Sequence, residues 1–233
     1  MKLLNSRLTL FIIMVTGWGQ HIFSQETIVW HSVSTPVRFS SRWQMPVDFS
    51  YRTLGFSSSA YQYTFRAGVR RFINDIWSGA AGIALFFTRT SFEKTDHEFG
   101  REFRLWQDVA AEKGLKNRFV LQNRLRVEER FFAATEEKEK YLAIRLRYRI
   151  GLTKFLGEKF KVQLAEEYME HYTSGQFSFQ QNRVYFSAGC LLNKLTQIEA
   201  GYIWSRVPDL NRHYMTISFQ RTILFHGNRN KKR

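Results

Sequence analysis

Arginine recurs at intervals of two or four residues in two adjacent segments of the chain. Six residues make up this pattern: Arg124, Arg126 and Arg130 in the first segment, and Arg145, Arg147 and Arg149 in the second. Side chains two positions apart share one face of a β-strand, so each segment would present a cationic surface. Guanidinium groups gathered in this way bind oxyanions or pair with carboxylates.

The same alternation places other charged residues on this face. It adds the base Arg183 and the acids Asp108, Glu128, Glu167 and Glu199, together with Asp48, Arg52, Arg66, Arg70 and Arg104. Like charges directly opposite on paired strands repel, so an arginine ladder needs compensating acids or a bound anion. The sequence leaves both alternatives open: a paired network that fills the interior, or a path that attracts anions.

Residues for a hydrolase site are present but widely spaced. His171, Glu167 and Ser187 fall on neighbouring predicted strands, and His213 lies near Ser218. With six histidines in the chain such coincidences are expected, and the sequence contains no glycine-rich phosphate loop and no Cys/His zinc motif. We therefore predict no catalytic residues, no cofactor and no metal site.

The charged residues belong to long segments of period-two alternation. In residues 142–152 the even positions are apolar and the odd positions are Arg, Ala or Gly. A helix would scatter these arginines around its circumference, so the pattern indicates a strand. Ten segments satisfy this test: residues 43–53, 60–72, 76–90, 101–112, 116–132, 140–155, 159–172, 180–192, 195–205 and 212–225.

These segments are long for a soluble sheet and suit tilted strands that cross a membrane. Short connections alternate with longer polar ones, the longer ones at residues 55–59, 91–100, 133–139, 173–179 and 206–211. This alternation predicts an all-β fold, an antiparallel up-and-down transmembrane β-barrel of about 10 to 12 strands.

Two features disturb this regular pattern. Residues 27–33 also read as a strand, and an eleventh strand would put the termini at opposite ends of the barrel. Either this strand pairs outside the main barrel, or a twelfth strand lies within one of the long segments. Pro46 predicts an edge, a bulge or a late strand start near Val47.

The first residues indicate the compartment. Lys2 and Arg7 precede an apolar run at residues 8–15, and a small residue, Ser24, follows. This layout predicts a signal peptide over residues 1–24, with a barrel over 25–225 and a basic tail over 226–233. We therefore expect export to the cell outer membrane, which argues against nucleic acid as the partner of this +15 chain. The single Cys190 excludes an internal disulfide.

Several motifs occur in a consistent order along the chain. They are HEFGREFRLWQ at 97–107, NRLRVEERF at 123–131, LRYR at 146–149, EEY at 166–168, QNRVY at 181–185 and EAGY at 199–202. In these motifs the chain resembles the domain-of-unknown-function family 2490. The resemblance implies an uncharacterised Gram-negative outer-membrane β-barrel and adds no catalytic residues.

Three functional hypotheses follow from these patterns. The first is a narrow pore or small-solute binder with a basic lumen. The alternative is a closed structural or interaction barrel whose extracellular loops carry the function, and the third is a rim-bound lipid-modifying enzyme. The expected partners are outer-membrane lipids, lipopolysaccharide and, during biogenesis, the barrel assembly machinery, and we expect a monomer.

Overall fold

The computed structural model describes residues 27–57, 59–89, 99–135, 139–173, 175–208 and 210–225. The predicted signal peptide and basic tail lie outside these residues. Within the described ranges the chain is built from strands, with one short 3-10 turn at Lys116–Arg118. No described segment forms a helix long and apolar enough to cross a membrane.

Fourteen strands form a single sheet. They are β1 (Thr27–Ser34), β2 (Val37–Arg38), β3 (Trp43–Met45), β4 (Val47–Leu54), β5 (Ala60–Phe72), β6 (Trp77–Arg89), β7 (Phe99–Gly114), β8 (Phe119–Phe132), β9 (Tyr141–Leu156), β10 (Phe160–Thr173), β11 (Gln176–Asn193), β12 (Thr196–Val207), β13 (Leu210–Arg221) and β14 (Ile223–Leu224).

Eleven of these strands close into a barrel. Each strand from β4 to β13 pairs with its neighbour in sequence, β1 pairs with both β4 and β13, and the ring is complete. The short strands β2, β3 and β14 continue β1, β4 and β13 at one end of the wall. The predicted all-β barrel of 10 to 12 strands is confirmed.

The first strand closes the barrel in parallel. β1 runs alongside β13 in one direction, from Thr27 opposite His213 to Ser34 opposite Gln220, and antiparallel to β4 on its other side. Both expectations for residues 27–33 were wrong, because the strand lies in the main barrel and no twelfth strand is present among the described residues. In an up-and-down ring, an odd number of strands leaves the first and last strands pointing the same way.

Pro46 interrupts one strand without ending the wall. β4 begins at Val47, as predicted, and the Pro46 carbonyl accepts a hydrogen bond from the backbone N–H of Gly68 at 3.1 Å. Proline lacks its own N–H, so it is tolerated where strand pairing is discontinuous.

The two ends of the barrel carry different connections. We call the end with the β5–β6, β7–β8, β9–β10 and β11–β12 connections the turn rim, and the opposite end the loop rim. At the loop rim, the predicted long connections at residues 173–179 and 206–211 were too long, because strands continue to Thr173 and Val207 and resume at Gln176 and Leu210. Polar residues near strand ends weaken the alternation without ending the pairing.

Alternation separates an interior face from an exterior face on every barrel strand. On β9, Arg145 and Arg147 are buried, whereas the alternate positions Ile144, Tyr148 and Ile150 are exposed. Exposed large apolar side chains occur on all eleven barrel strands. The charged residues therefore face inward and the apolar ones outward, which reverses the arrangement of a water-soluble domain.

One aromatic ring is packed into the interior against two glycines. Trp106 is buried, and its indole N–H donates to the Ile83 carbonyl at 3.1 Å. A Cβ atom on Gly68 or Gly82 would lie 2.6 or 2.5 Å from the Trp106 ring, so only glycine admits the ring at this place. Trp106 thus fills the barrel beside β5 and β6.

The parallel closure can be tested by cross-linking in a Cys190→Ser background. Val33 lies opposite Phe219, and both side chains are exposed on the outer face. Paired strands lie about 4.8 Å apart, within the Cα spacing that a disulfide spans. We expect Val33→Cys/Phe219→Cys to form an intramolecular disulfide on oxidation, detected by mobility in non-reducing gels and by mass spectrometry.

Val33→Cys/Met215→Cys is the matched control. The four-residue offset along β13 separates the two positions by roughly 13 Å, which excludes a bridge. Cross-linking of the control pair in preference to the first pair would contradict the parallel register.

Candidate functional site

Four carboxylates are buried at mid-barrel and surrounded by arginines. We call this set the ion-pair layer. Its acids are Glu102, Asp108, Glu128 and Glu167, with exposed fractions of 7%, 4%, 3% and 0%. Its bases are Arg70, Arg104, Arg124, Arg126, Arg130, Arg145 and Arg147.

Arg147 connects two of these acids. Its guanidinium donates to Glu128 Oε1 at 2.6 Å from Nη1, and to Glu167 Oε1 and Oε2 at 2.8 and 2.9 Å from Nη2. Glu128 also accepts hydrogen bonds from Arg145 and, at 3.4 Å, from Arg104. One guanidinium therefore bridges carboxylates on β8 and β10 across the intervening β9.

The Glu167 side chain has no exposed surface, and both of its carboxylate oxygens accept hydrogen bonds. It accepts from Arg124 Nη2 at 2.8 Å and from the Tyr185 hydroxyl at 2.7 Å, in addition to Arg147. A buried carboxylate is stable in the ionised form only when several charge-assisted bonds replace its hydration. The partners come from β8, β9 and β11, so Glu167 ties four consecutive strands together.

The other two acids extend the layer toward β5 and β7. Asp108 Oδ2 accepts from Arg126 at 2.5 Å, and Asp108 Oδ1 accepts from Arg70 at 3.2 Å. Glu102 accepts from Arg104 at 2.5 Å and from Arg130 at 2.6 Å. Each of the four carboxylates thus has at least two arginine partners.

Strand register explains why the acids are needed. Arg124 lies opposite Arg149 and Arg126 lies opposite Arg147 on the paired strands β8 and β9. Such like-charge pairs destabilise a sheet unless the charges are compensated. Asp108, Glu128 and Glu167 supply that compensation from the same face.

Six of the charged residues singled out in the sequence lie apart from the layer: Glu199, Arg149, Arg183, Arg52, and Asp48 and Arg66, which pair with each other at 2.9 Å. Glu199 pairs with Lys161 at 2.8 Å near the turn rim. Arg149 donates to Gln163 at 3.3 Å and lies over the Tyr185 ring. Arg183 lies above the Tyr214 ring, 5.6 Å from its centroid.

Glu102 was missed by the sequence reasoning. It precedes Arg104 by two residues on β7, and the alternation that placed Arg104 and Asp108 on the inner face also applied to it. Glu102 lies within the predicted strand at residues 101–112, so the same alternation placed it on the inner face although it was not among the predicted site residues.

The histidine and serine candidates are not brought together. His171 Nε2 contacts Ser178 Oγ at 3.1 Å, whereas Ser187 lies opposite Gln163, eight residues from His171 along β10. At the rise of a β-strand, this separation is roughly 26 Å. Among the described residues, no three His, Cys, Asp or Glu side chains are grouped to hold a metal ion.

Two cavities lie on opposite sides of the ion-pair layer. The arginine cavity, of about 230 Å³, lies toward the loop rim and is lined by eight arginines, including Arg52, Arg66, Arg183 and Arg212. The turn-rim cavity, of about 420 Å³, is lined by residues that include Arg70, Arg124, Arg149, Asp75 and Glu112. Asp108, Glu128 and Glu167 line neither cavity, because they lie between the two.

Comparison with known proteins gives one family. The family model described as "Protein of unknown function (DUF2490)" matches residues 27–216. The match begins at the first residue of β1 and extends into β13, so it includes ten barrel strands in full and the first part of the eleventh. No curated protein matches the chain.

Removing one acid of the layer leaves buried arginines without a counter-charge. We expect Glu128→Gln and Glu167→Gln each to lower the free energy of unfolding by about 3 kcal/mol or more. The measurement is urea unfolding of the purified protein.

Glu199→Gln serves as the matched control for both variants. The Glu199 side chain is 23% exposed and has one cationic partner, so the expected loss is below about 1 kcal/mol. Equal losses in all three variants would show that the layer has no special part in stability.

Proposed function

The chain belongs to the DUF2490 family, whose function is unknown, and from its structure we propose an outer-membrane barrel that is closed to ion flow and binds small solutes. The observation that carries the proposal is the ion-pair layer, which lies across the interior between the two cavities. The loop rim would face the outside of the cell and the turn rim the periplasm, following the usual orientation of such barrels.

The outer face supports a bilayer location. Exposed apolar residues lie on every barrel strand, including Phe65, Leu125, Ile150, Leu164 and Ile217. A monomeric soluble protein rarely exposes an apolar patch of more than a few hundred Å², whereas a barrel wall in lipid requires a continuous apolar surface. Outer-membrane lipids and lipopolysaccharide would then be its surroundings, and the assembly machinery its partner during insertion.

Aromatic residues near both rims add to this support. Trp43 and Trp77 are exposed beside the turn rim, and Phe131 and Tyr141 are exposed beside the loop rim. Tryptophan and tyrosine favour the boundary between lipid and water, where an apolar ring and a polar group are both accommodated.

The filling of the interior favours the closed-barrel hypothesis and argues against the pore hypothesis. Side chains just fill a barrel of about eight strands, and aqueous channels are typical of 16 or more, so eleven strands fall nearer the filled limit. Here the filling consists of arginine–carboxylate pairs and the Trp106 ring, over which Arg126 lies at 4.5 Å. Ions would have to displace charge-assisted bonds to pass.

Planar bilayer recordings test the closed state. We expect no single-channel current from the purified protein, because the ion-pair layer blocks the lumen. A porin inserted under the same conditions is the positive control. Steady anion-selective current that loses its selectivity in Arg145→Gln/Arg147→Gln/Arg149→Gln would overturn the closed barrel in favour of a pore.

Arginine substitution at different heights of β9 tests the bilayer location. Leu146 lies near mid-strand on the outer side, and Leu156 is the exposed last residue of the same strand. In lipid we expect Leu146→Arg to lower the folding free energy by about 2–4 kcal/mol and Leu156→Arg by about 1 kcal/mol or less. Folding is measured by urea titration in lipid vesicles. A harmless Leu146→Arg, with recovery of the protein in the soluble periplasm, would rule out a membrane barrel.

A further inference from the structure

We propose that the arginine cavity is a binding site for a small soluble oxyanion, a molecule that carries a phosphate or carboxylate group. This inference rests on the proposed solute-binding function and makes it more specific. It assigns the ligand class and the residues that would bind it.

The lining of the cavity carries a positive charge that the described residues do not fully neutralise. Among the described residues the lining contains eight arginines and no Asp or Glu. Carboxylates outside the lining pair with five of these arginines: Arg66, Arg104, Arg130, Arg145 and Arg147. Arg52 and Arg183 have no carboxylate within ion-pair distance in the described part of the chain.

Aromatic rings hold these two arginines at the cavity wall. The Arg52 guanidinium carbon lies 3.8 Å from the Trp30 ring centroid, and Arg183 lies over Tyr214. A guanidinium that stacks on a ring uses its flat face and keeps its N–H edge available for a planar acceptor. The stacking therefore fixes the position of the donors without satisfying them.

Polar atoms that lack partners are concentrated at this cavity. The Nε atoms of Arg52 and Arg183, the indole N–H of Trp30 and the hydroxyls of Ser50 and Thr64 are all buried without a hydrogen-bond partner in the described protein. Each buried donor left unpaired lowers the stability of the fold by about 1–3 kcal/mol. Several unpaired polar atoms at one cavity therefore need an explanation. A bound oxyanion would accept hydrogen bonds from several of them at once.

The turn-rim cavity provides the internal comparison. It is larger, yet none of its lining side chains contains a buried polar atom without a partner among the described residues. Its lining also includes Asp75 and Glu112. The unsatisfied donors are therefore a property of the arginine cavity and not of the barrel interior in general.

Shape and position restrict the ligand further. The planar fork of arginine matches the paired oxygens of carboxylates and phosphates, which favours these groups over a spherical halide. A volume of about 230 Å³ is below that of a site for a drug-sized molecule. The cavity lies inside the barrel wall, so we assign the ligand to the soluble solutes and not to the surrounding lipid.

Calorimetric titration with inorganic phosphate in detergent at low ionic strength tests this site. We expect saturable binding to the purified protein, and no comparable heat from chloride at matched ionic strength. Arg52→Gln and Arg183→Gln should each weaken phosphate binding by about tenfold or more, which is the loss of one charge-assisted hydrogen bond. Arg52→Lys keeps the charge and removes the fork, so we expect a smaller but measurable loss.

Arg149→Gln is the matched control, because it removes the same charge at the turn-rim cavity. We expect it to bind phosphate like the unmodified protein. Folding of every variant is checked by its heat-dependent mobility in detergent gels, so a misfolded variant is not counted. Absence of phosphate binding to the folded unmodified protein, or an equal loss in Arg149→Gln, would overturn the site. Planar bilayer conductance of the same preparation tests separately whether the ion-pair layer closes the lumen, so failure of the closed barrel is distinguished from failure of the binding site.

Discussion

The bridge that Arg147 makes between Glu128 and Glu167 is the interaction on which the interior of the barrel depends. Moving carboxylates out of water costs several kcal/mol each, and only well-placed cations and hydrogen bonds offset that cost. Those cations come from neighbouring strands, so the bridge forms only in one register. A slip of one residue would turn every charged side chain outward. Strand register and a filled interior are therefore consequences of the same constraint.

The ion-pair layer also explains why the two ends of the barrel differ. Its carboxylates neutralise the arginines around mid-barrel, but Arg52 and Arg183 lie beyond their reach toward the loop rim. The turn-rim side has acids of its own and leaves no buried donor of its lining without a partner among the described residues. An excess of basic residues that the sequence distributes over many strands thus becomes one localised cationic cavity.

Closure by a parallel strand sets this barrel apart from the even-numbered antiparallel barrels typical of bacterial outer membranes. β1 fills the gap between β4 and β13, and it contributes Trp30 to the wall of the arginine cavity. Trp30 in turn holds Arg52 by stacking. The strand that completes the wall is therefore also part of the candidate site, and the DUF2490 match includes it from its first residue.

Alternation in the sequence determined the all-β class, nearly all of the strands and the side of the wall on which Arg126, Arg147 and Glu128 lie, because period two is a local property of the chain. The tertiary structure alone decided the parallel pairing of β1, since this pairing joins strands distant in sequence. It also decided that Glu199 pairs with Lys161 and that Arg52 approaches Trp30. Distances across a closed ring follow from strand number and register, and no local pattern encodes them.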